Sequence, residues 1–96
     1  MKLLLMADHH VGLEILKWLL NEYPCDLKLV VAKSENEICN IVRNAKIPLI
    51  VNKSSDQISK YLNDECIEVD LGIMVWWPSI IRQSLITLPK YGFVNT

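Results

Sequence analysis

Three polar residues, Asp8, His9 and His10, follow the first apolar run of the chain and precede a segment with helical periodicity. Free backbone amides at a helix start attract anions, and Gly12 permits close approach of a ligand. His10 and Gly12 are therefore candidates for binding an anionic group of a substrate. Neighbouring histidines diverge and no third ligand accompanies them, so no metal site is predicted. The alternative role for Asp8 is to cap the helix.

A second chemical feature is the aromatic segment Trp76-Trp77-Pro78-Ser79-Ile80-Ile81, which directly follows an apolar run. Two tryptophans at a strand end offer an apolar wall suited to a flat heteroaromatic ligand. The alternative is structural, with one tryptophan filling the core and the other shielding a helix. Spacing alone leaves both interpretations open.

Cysteines, charge and hydropathy narrow the classes of function. Cys25, Cys39 and Cys66 lack Cys-x-x-Cys or Cys/His clustering, so neither a disulfide framework nor a structural zinc site is predicted. We expect all three to be buried apolar residues in a reducing, cytoplasmic setting. The net charge of -1 argues against an extended nucleic-acid-binding face. No stretch approaches the roughly 20 apolar residues of a membrane span, so no membrane partner is predicted.

Alternating strands and helices must position these residues. Strands are predicted for four apolar runs, at residues 2–7, 27–32, 48–51 and 70–75. Helical periodicity follows each of the first three, and parallel pairing through right-handed crossovers joins strands that helices separate. An apolar content of 51% suits a sheet covered on both faces. The sequence therefore predicts a single α/β, Rossmann-like domain over residues 1–96.

Local signals refine the helix starts and the ligand edge. Ser34 with Glu37, and Ser54 with Gln57, have the spacing of capping boxes. Open parallel sheets bind ligands beyond the carboxyl ends of their strands. In this chain those ends carry Asp8-His9-His10, Lys33-Ser34, Asn52-Lys53, Trp76-Trp77-Pro78 and Asn95-Thr96.

The last nine residues, 88–96, predict a turn and a strand in which Phe93 and Val94 are buried and Asn95 stands at the end. Terminal residues of a domain are usually polar and loosely held. We therefore expect the chain to be part of a larger domain, divided beside a functional site. An uncovered apolar edge at residues 93–95 favours association into a homo-oligomer.

Residues 70–81 and 88–95 resemble the centre of the folate-dependent formyltransferase family, which includes methionyl-tRNA, glycinamide ribonucleotide and sugar-amine formyltransferases. In that family a strand beginning with Asp precedes an aromatic-glycine loop, then Leu-Pro, a glycine and an Asn-x-His-Pro-Ser-Leu-Leu-Pro motif. The matching residues here are Asp70, Leu88-Pro89, Gly92 and Asn95. The resemblance extends weakly over the rest of the chain.

The resemblance implies roles for five residues. Asn95 matches the family's catalytic asparagine, whose amide donates a hydrogen bond to the formyl oxygen while an amine attacks. A fixed neutral donor stabilises the tetrahedral oxyanion more than the ground-state carbonyl. Trp77, Pro78, Ile80 and Ile81 match the loop that holds the pterin of 10-formyltetrahydrofolate, with Pro78 standing where the family commonly has glycine.

The function implied by the resemblance is transfer of a formyl group from the co-substrate 10-formyltetrahydrofolate to a primary amine, without a metal. The expected acceptor is a nucleotide-linked amino sugar or methionyl-tRNA. The family's histidine would follow Thr96 and its aspartate would lie farther on, so residues 1–96 are expected to be the N-terminal part of the catalytic domain and inactive alone. The alternative is a non-catalytic α/β binding or regulatory module with Asp8 as an acidic site residue.

Overall fold

Helices alternate with strands along the chain in a computed structural model that describes residues 1–95. The elements are β1 (Leu3–Ala7), α1 (His9–Glu22), β2 (Leu27–Ala32), α2 (Glu37–Asn44), β3 (Leu49–Val51), α3 (Ser55–Asp64), β4 (Leu71–Val75), α4 (Gln83–Ile86) and β5 (Phe93–Asn95). Within these residues the strands form one sheet of order β3-β2-β1-β4-β5, and every neighbouring pair is parallel. The predicted α/β, Rossmann-like class is confirmed.

The strand order places a topological switch point between β1 and β4. The chain moves outward from β1 through β2 to β3, then returns to the other side of β1 to form β4 and β5. Crossovers on the two sides leave a crevice beyond the carboxyl ends of β1 and β4, where ligands of open α/β sheets bind. The fold therefore assigns the predicted ligand edge to a specific pair of strands.

Both faces of the sheet are covered, because side chains of a strand alternate between them. Leu3, Leu5 and Ala7 of β1 join α1 and α2 in one core cluster, hereafter the α1/α2 face. Leu4 and Met6 join α3 and α4 in a second cluster, the α3/α4 face. All five residues of β1 are buried, which accounts for the continuous apolar run in the sequence.

Helix caps agree with the prediction at α3 and differ at α1 and α2. Ser54 and Gln57 form the predicted capping box, each side chain accepting a hydrogen bond from the other residue's backbone N–H. The predicted cap at Ser34 is wrong: Asn36 is the N-cap of α2, and its Oδ1 accepts from the Ile38 N–H at 2.9 Å. Asp8 occupies the N-cap position of α1, but its side chain makes no capping hydrogen bond. Several short polar residues in succession offer alternative caps, and packing of the helix selects among them.

Three predicted burials are wrong. Cys25 and Cys66 are exposed in the turns before β2 and β4, and only Cys39 of α2 is buried. Val94 is 45% exposed, because β5 is an edge strand with one neighbour within residues 1–95. Among the helices of these residues, none combines the length and apolar character that crossing a bilayer requires.

Candidate functional site

At the switch point, backbone and ring contacts join the segments that follow β1 and β4. The Asp8 N–H donates to the Val75 carbonyl oxygen at 3.2 Å. The residues that follow these two in the chain, His9 and Trp76, have positive φ angles of 68° and 52° respectively. Their rings stack with centroids 5.5 Å apart and planes inclined by 21°. A non-glycine residue in this conformation costs about 1–3 kcal/mol, so the surrounding packing must hold both residues in place.

The segment that follows β4, residues 76–82, is anchored at two points. Trp77 is half-buried and packs against the α3/α4 face, and Ile81 is buried in the same cluster. Between them Pro78 is exposed and Ile80 is 92% exposed. Trp76 is also exposed, at 59%. Ile81 therefore holds the segment in place, while Ile80 and the open side of Trp77 remain accessible to a ligand.

A cavity of about 280 Å³ opens beside this segment on the α3/α4 face. We call it the basic cavity, because Lys33, Lys53 and Arg82 line it and no Asp or Glu side chain does. Its other walls come from Met6, Asn52, Ser54, Ser55, Ile58, Trp77, Ser79 and Ile80. The basic cavity thus combines an aromatic wall with three positive charges at the carboxyl edge of the sheet.

Of the three cationic groups that line the basic cavity, one interacts with other groups of the protein. Lys33 Nζ donates to Ser79 Oγ at 2.8 Å and lies 5.9 Å from the centroid of the Trp77 ring, within reach of a cation–π interaction. Within residues 1–95, the ammonium of Lys53 and the guanidinium of Arg82 make no hydrogen bond or ion pair. Two cationic donors are therefore free to bind an anion.

Asn95 lies on the same edge and the same face as this cavity. It pairs in register with Met74, one residue before the end of β4. Phe93, two residues earlier on β5, packs on the α3/α4 face, and alternation places Asn95 on that face also. Asn95 is exposed and does not line the basic cavity, since β4 lies between them.

The structure separates His10 and Gly12 from the other predicted site residues. His10 lines a pocket of about 220 Å³ with Asn36 and Glu37 on the α1/α2 face, across the sheet from the basic cavity. Gly12 is buried, and a Cβ there would lie 3.0 Å from the Cβ of Ala7. Gly12 therefore permits close packing of α1 on β1, and in this structure it does not face a ligand cavity.

The residues missed as ligands by sequence reasoning are the three cations. Lys33 and Lys53 stood at predicted strand ends but carried no assigned role, and Arg82 lay outside the resemblance. The available signal was the presence of a cation in each of the segments that follow β2, β3 and β4. A second cavity, of about 610 Å³, lies at the opposite edge beside Cys25 and Cys66. The carboxyl edge is the stronger candidate, because parallel sheets bind ligands there.

Neither a protein-family model nor a curated protein sequence matches this chain. No group of three or more His, Cys, Asp or Glu side chains within residues 1–95 is arranged to hold a metal ion. The functional interpretation therefore rests on the geometry of the carboxyl edge and on the resemblance of residues 70–81 and 88–95.

Proposed function

We propose that this chain is the N-terminal, folate-binding part of a cytoplasmic N-formyltransferase. The full enzyme moves a formyl group from 10-formyltetrahydrofolate to a primary amine. The observation that carries the proposal is the position of Asn95, on the same face and at the same edge of the sheet as Trp77. Trp77 follows β4, the strand with which β5 pairs. The resemblance assigned these two residues to the oxyanion donor and the pterin-binding loop.

The proposed chemistry needs a donor where negative charge develops. Attack of the amine on the formyl carbon turns the carbonyl oxygen into an oxyanion, and the Asn95 amide donates a hydrogen bond to that oxygen. Loss of one such donor typically costs about 3 to 4 kcal/mol of transition-state stabilisation. Collapse of the tetrahedral intermediate then breaks the bond from the formyl carbon to N10 and releases tetrahydrofolate. The amine loses a proton and N10 gains one, and we assign this proton transfer to a histidine following Thr96.

The proposed folate surface consists of the side chains that remain accessible in residues 76–82. Trp77 and Ile80 offer apolar area to the pterin ring, while Ile81 holds the segment from below. Pro78 has no N–H to donate, so hydrogen bonds to the pterin must come from other backbone groups. A nucleotide-linked amino sugar is the first choice of acceptor, and methionyl-tRNA the second, because the chain carries a net charge of -1.

Tryptophan fluorescence tests folate binding by the chain itself. We expect 5-formyltetrahydrofolate, a stable analogue of the co-substrate, to perturb the emission of the wild-type chain and of W18F, since Trp18 lies on α1 away from the site. The perturbation should be lost in W77F and weakened in I80A. An unchanged emission spectrum at saturating folate would contradict the proposal.

Formyl transfer is tested on the full enzyme of the proposal, which includes the histidine assigned to follow Thr96. We expect that enzyme, but not residues 1–96 alone, to formylate an amino sugar nucleotide or methionyl-tRNA. N95A should lower kcat by about 10²–10³-fold, the usual effect of removing one oxyanion donor. Turnover by residues 1–96, or an active N95A enzyme, would overturn the assigned role of Asn95.

The basic cavity favours one alternative, a non-catalytic α/β module that binds a nucleotide. Its free cations are not required by formyl transfer, and a phosphate would use them. The acidic residue of this alternative, Asp8, lies at the N-cap position of α1 beside the switch point. Emission that responds to a nucleotide and not to reduced folate would select this alternative.

A further inference from the structure

We propose that the basic cavity binds a phosphate group of a ligand whose ring lies against Trp77. This site goes beyond formyl transfer, because it requires neither Asn95 nor a folate. It follows from the convergence of Lys33, Lys53 and Arg82 on one cavity at the carboxyl edge.

The three cations reach the cavity from separate parts of the fold. Lys33 follows β2, Lys53 follows β3, and Arg82 precedes α4. Like charges brought together repel one another, and no carboxylate lines the cavity to offset them, although the chain as a whole holds 11 acidic residues. A bound anion would neutralise this cluster.

Hydrogen bonds that do not involve the guanidinium of Arg82 hold the part of the cavity wall to which Arg82 belongs. The Arg82 N–H donates to Ser55 Oγ at 3.1 Å, which fixes residue 82 beside the start of α3. Ser84 reinforces this contact: its hydroxyl donates to Asp56 Oδ1 at 2.6 Å, and its carbonyl oxygen accepts from Ser59 Oγ at 3.2 Å. The guanidinium therefore stays available while its backbone is positioned, an arrangement that lowers the ordering cost of binding.

Phosphate matches this donor set better than a single carboxylate does. A phosphate monoester carries a charge of about -1.5 to -2 at neutral pH and three strong acceptor oxygens. Arginine binds two of those oxygens through its planar fork, and lysine contributes a compact charge. Trp77 and Ile80 supply an adjacent apolar surface, so a nucleotide is the expected class of ligand.

Calorimetric titration with uridine 5′-diphosphate, uridine and inorganic pyrophosphate tests the site at low ionic strength. We expect uridine 5′-diphosphate to bind at least tenfold more tightly than uridine, and inorganic pyrophosphate to compete with uridine 5′-diphosphate for the site. K53Q and R82Q should each weaken diphosphate binding about tenfold or more, since each removes a charge-assisted hydrogen bond. K17Q removes one charge from the exposed side of α1 and should leave binding unchanged.

Two further ligands separate this proposal from the proposed function. 5-Formyltetrahydrofolate carries glutamate carboxylates, whereas 5-formyltetrahydropteroate has the same ring without the glutamate. One outcome would show that the cations bind the glutamate carboxylates of folate and that the phosphate proposal is wrong. In that outcome only the glutamate form binds, K53Q and R82Q abolish its binding, and no phosphate ligand binds. Binding of uridine 5′-diphosphate without binding of either folate compound would instead support the phosphate site and contradict the proposed formyltransferase function.

Equal affinity for the diphosphate in wild type, K53Q and R82Q would also overturn the proposal. Lys53 and Arg82 are exposed, so neither substitution should alter folding. Circular dichroism of each variant checks this point. Raising the salt concentration should weaken diphosphate binding to the wild-type chain, because screening reduces attraction between accessible charges.

Discussion

Gly72 of β4 lies directly against the ring of Phe93 in β5, its register partner. A Cβ added to Gly72 would stand 2.3 Å from Phe93 Cε2, so the ring of Phe93 or the backbone would have to shift to accept it. The missing side chain makes room for a ring that packs into the α3/α4 face. Because Asn95 is only two residues farther along β5, this contact also determines where the proposed oxyanion donor lies.

We predict that G72A lowers the free energy of unfolding by about 1–3 kcal/mol, the usual cost of overpacking a core. Urea denaturation of the 96-residue chain measures the change. The double variant G72A/F93L should lose less stability than the sum of the two single variants, because the smaller side chain relieves the clash. Additive losses would show that Gly72 and Phe93 are not coupled.

The N-cap of α2 provides a second test. N36A should cost about 1 kcal/mol of stability, because it leaves the Ile38 N–H without its side-chain acceptor. S34A should change stability by less than about 0.5 kcal/mol, as expected of an exposed side chain without a capping role. S54A, which breaks the capping box of α3, is the positive control. A larger loss in S34A than in N36A would restore Ser34 as the cap.

Truncation of Ile81 should destabilise the chain far more than truncation of Ile80. I81A should destabilise the chain by about 2–5 kcal/mol, since it removes buried methyl groups from the α3/α4 face. I80A should alter stability by less than about 0.5 kcal/mol, because Ile80 is 92% exposed. Thermal or urea unfolding of both variants measures the difference. Similar losses would mean that residues 76–82 are anchored differently.

The three thiols should react at two distinct rates. Cys25 and Cys66 are exposed and Cys39 is buried, so a thiol reagent should modify two cysteines rapidly in the native chain. The third should react only on the timescale of unfolding. C39A should abolish the slow phase and leave the rapid phase unchanged. Three rapid modifications in the wild-type chain would contradict the burial of Cys39.

The ion pair between Lys2 and Glu68 joins the starts of β1 and β4 and should make stability depend on pH. Lys2 Nζ donates to Glu68 Oε2 at 2.8 Å. This hydrogen bond and the attraction of opposite charges lower the pKa of Glu68 and raise the pKa of Lys2. The carboxylate's contribution is present above its unfolded-state pKa and is lost as pH falls through the lowered value. The lysine's contribution is present below its unfolded-state pKa and is lost as pH rises through the raised value.

We therefore expect E68Q to lower stability near neutral pH and to approach the wild-type stability as pH falls through the lowered pKa of Glu68, below which both chains lack the charge. The difference should also shrink as pH rises through the raised lysine pKa. Urea midpoints across this range measure both limbs, and added salt should reduce the difference because the pair is exposed. E65Q is the matched control, since the Glu65 side chain forms no ion pair within residues 1–95. A pH-independent difference would contradict the role of this pair.

The sequence by itself determined the alternation of strands and helices, the parallel α/β class and the capping box of α3. These features depend on residues close together in the chain: the run 27–32 predicted β2, and Ser54 and Gln57 are three residues apart. Hydrophobic periodicity and hydrogen bonds between residues a few positions apart can be recognised from the sequence alone. The ligand edge was also predictable, because it follows from parallel pairing.

Only the tertiary structure decided which of the predicted residues share a site. It placed Gly12 against β1, directed Ile80 and Ile81 to opposite environments, and brought Lys33, Lys53 and Arg82 to one cavity. These outcomes depend on strand order and on the docking of residues 76–82 onto α3. Lys33, Lys53 and Arg82, for example, are about 20 to 50 residues apart in the chain, a separation over which local propensity carries no information about contact.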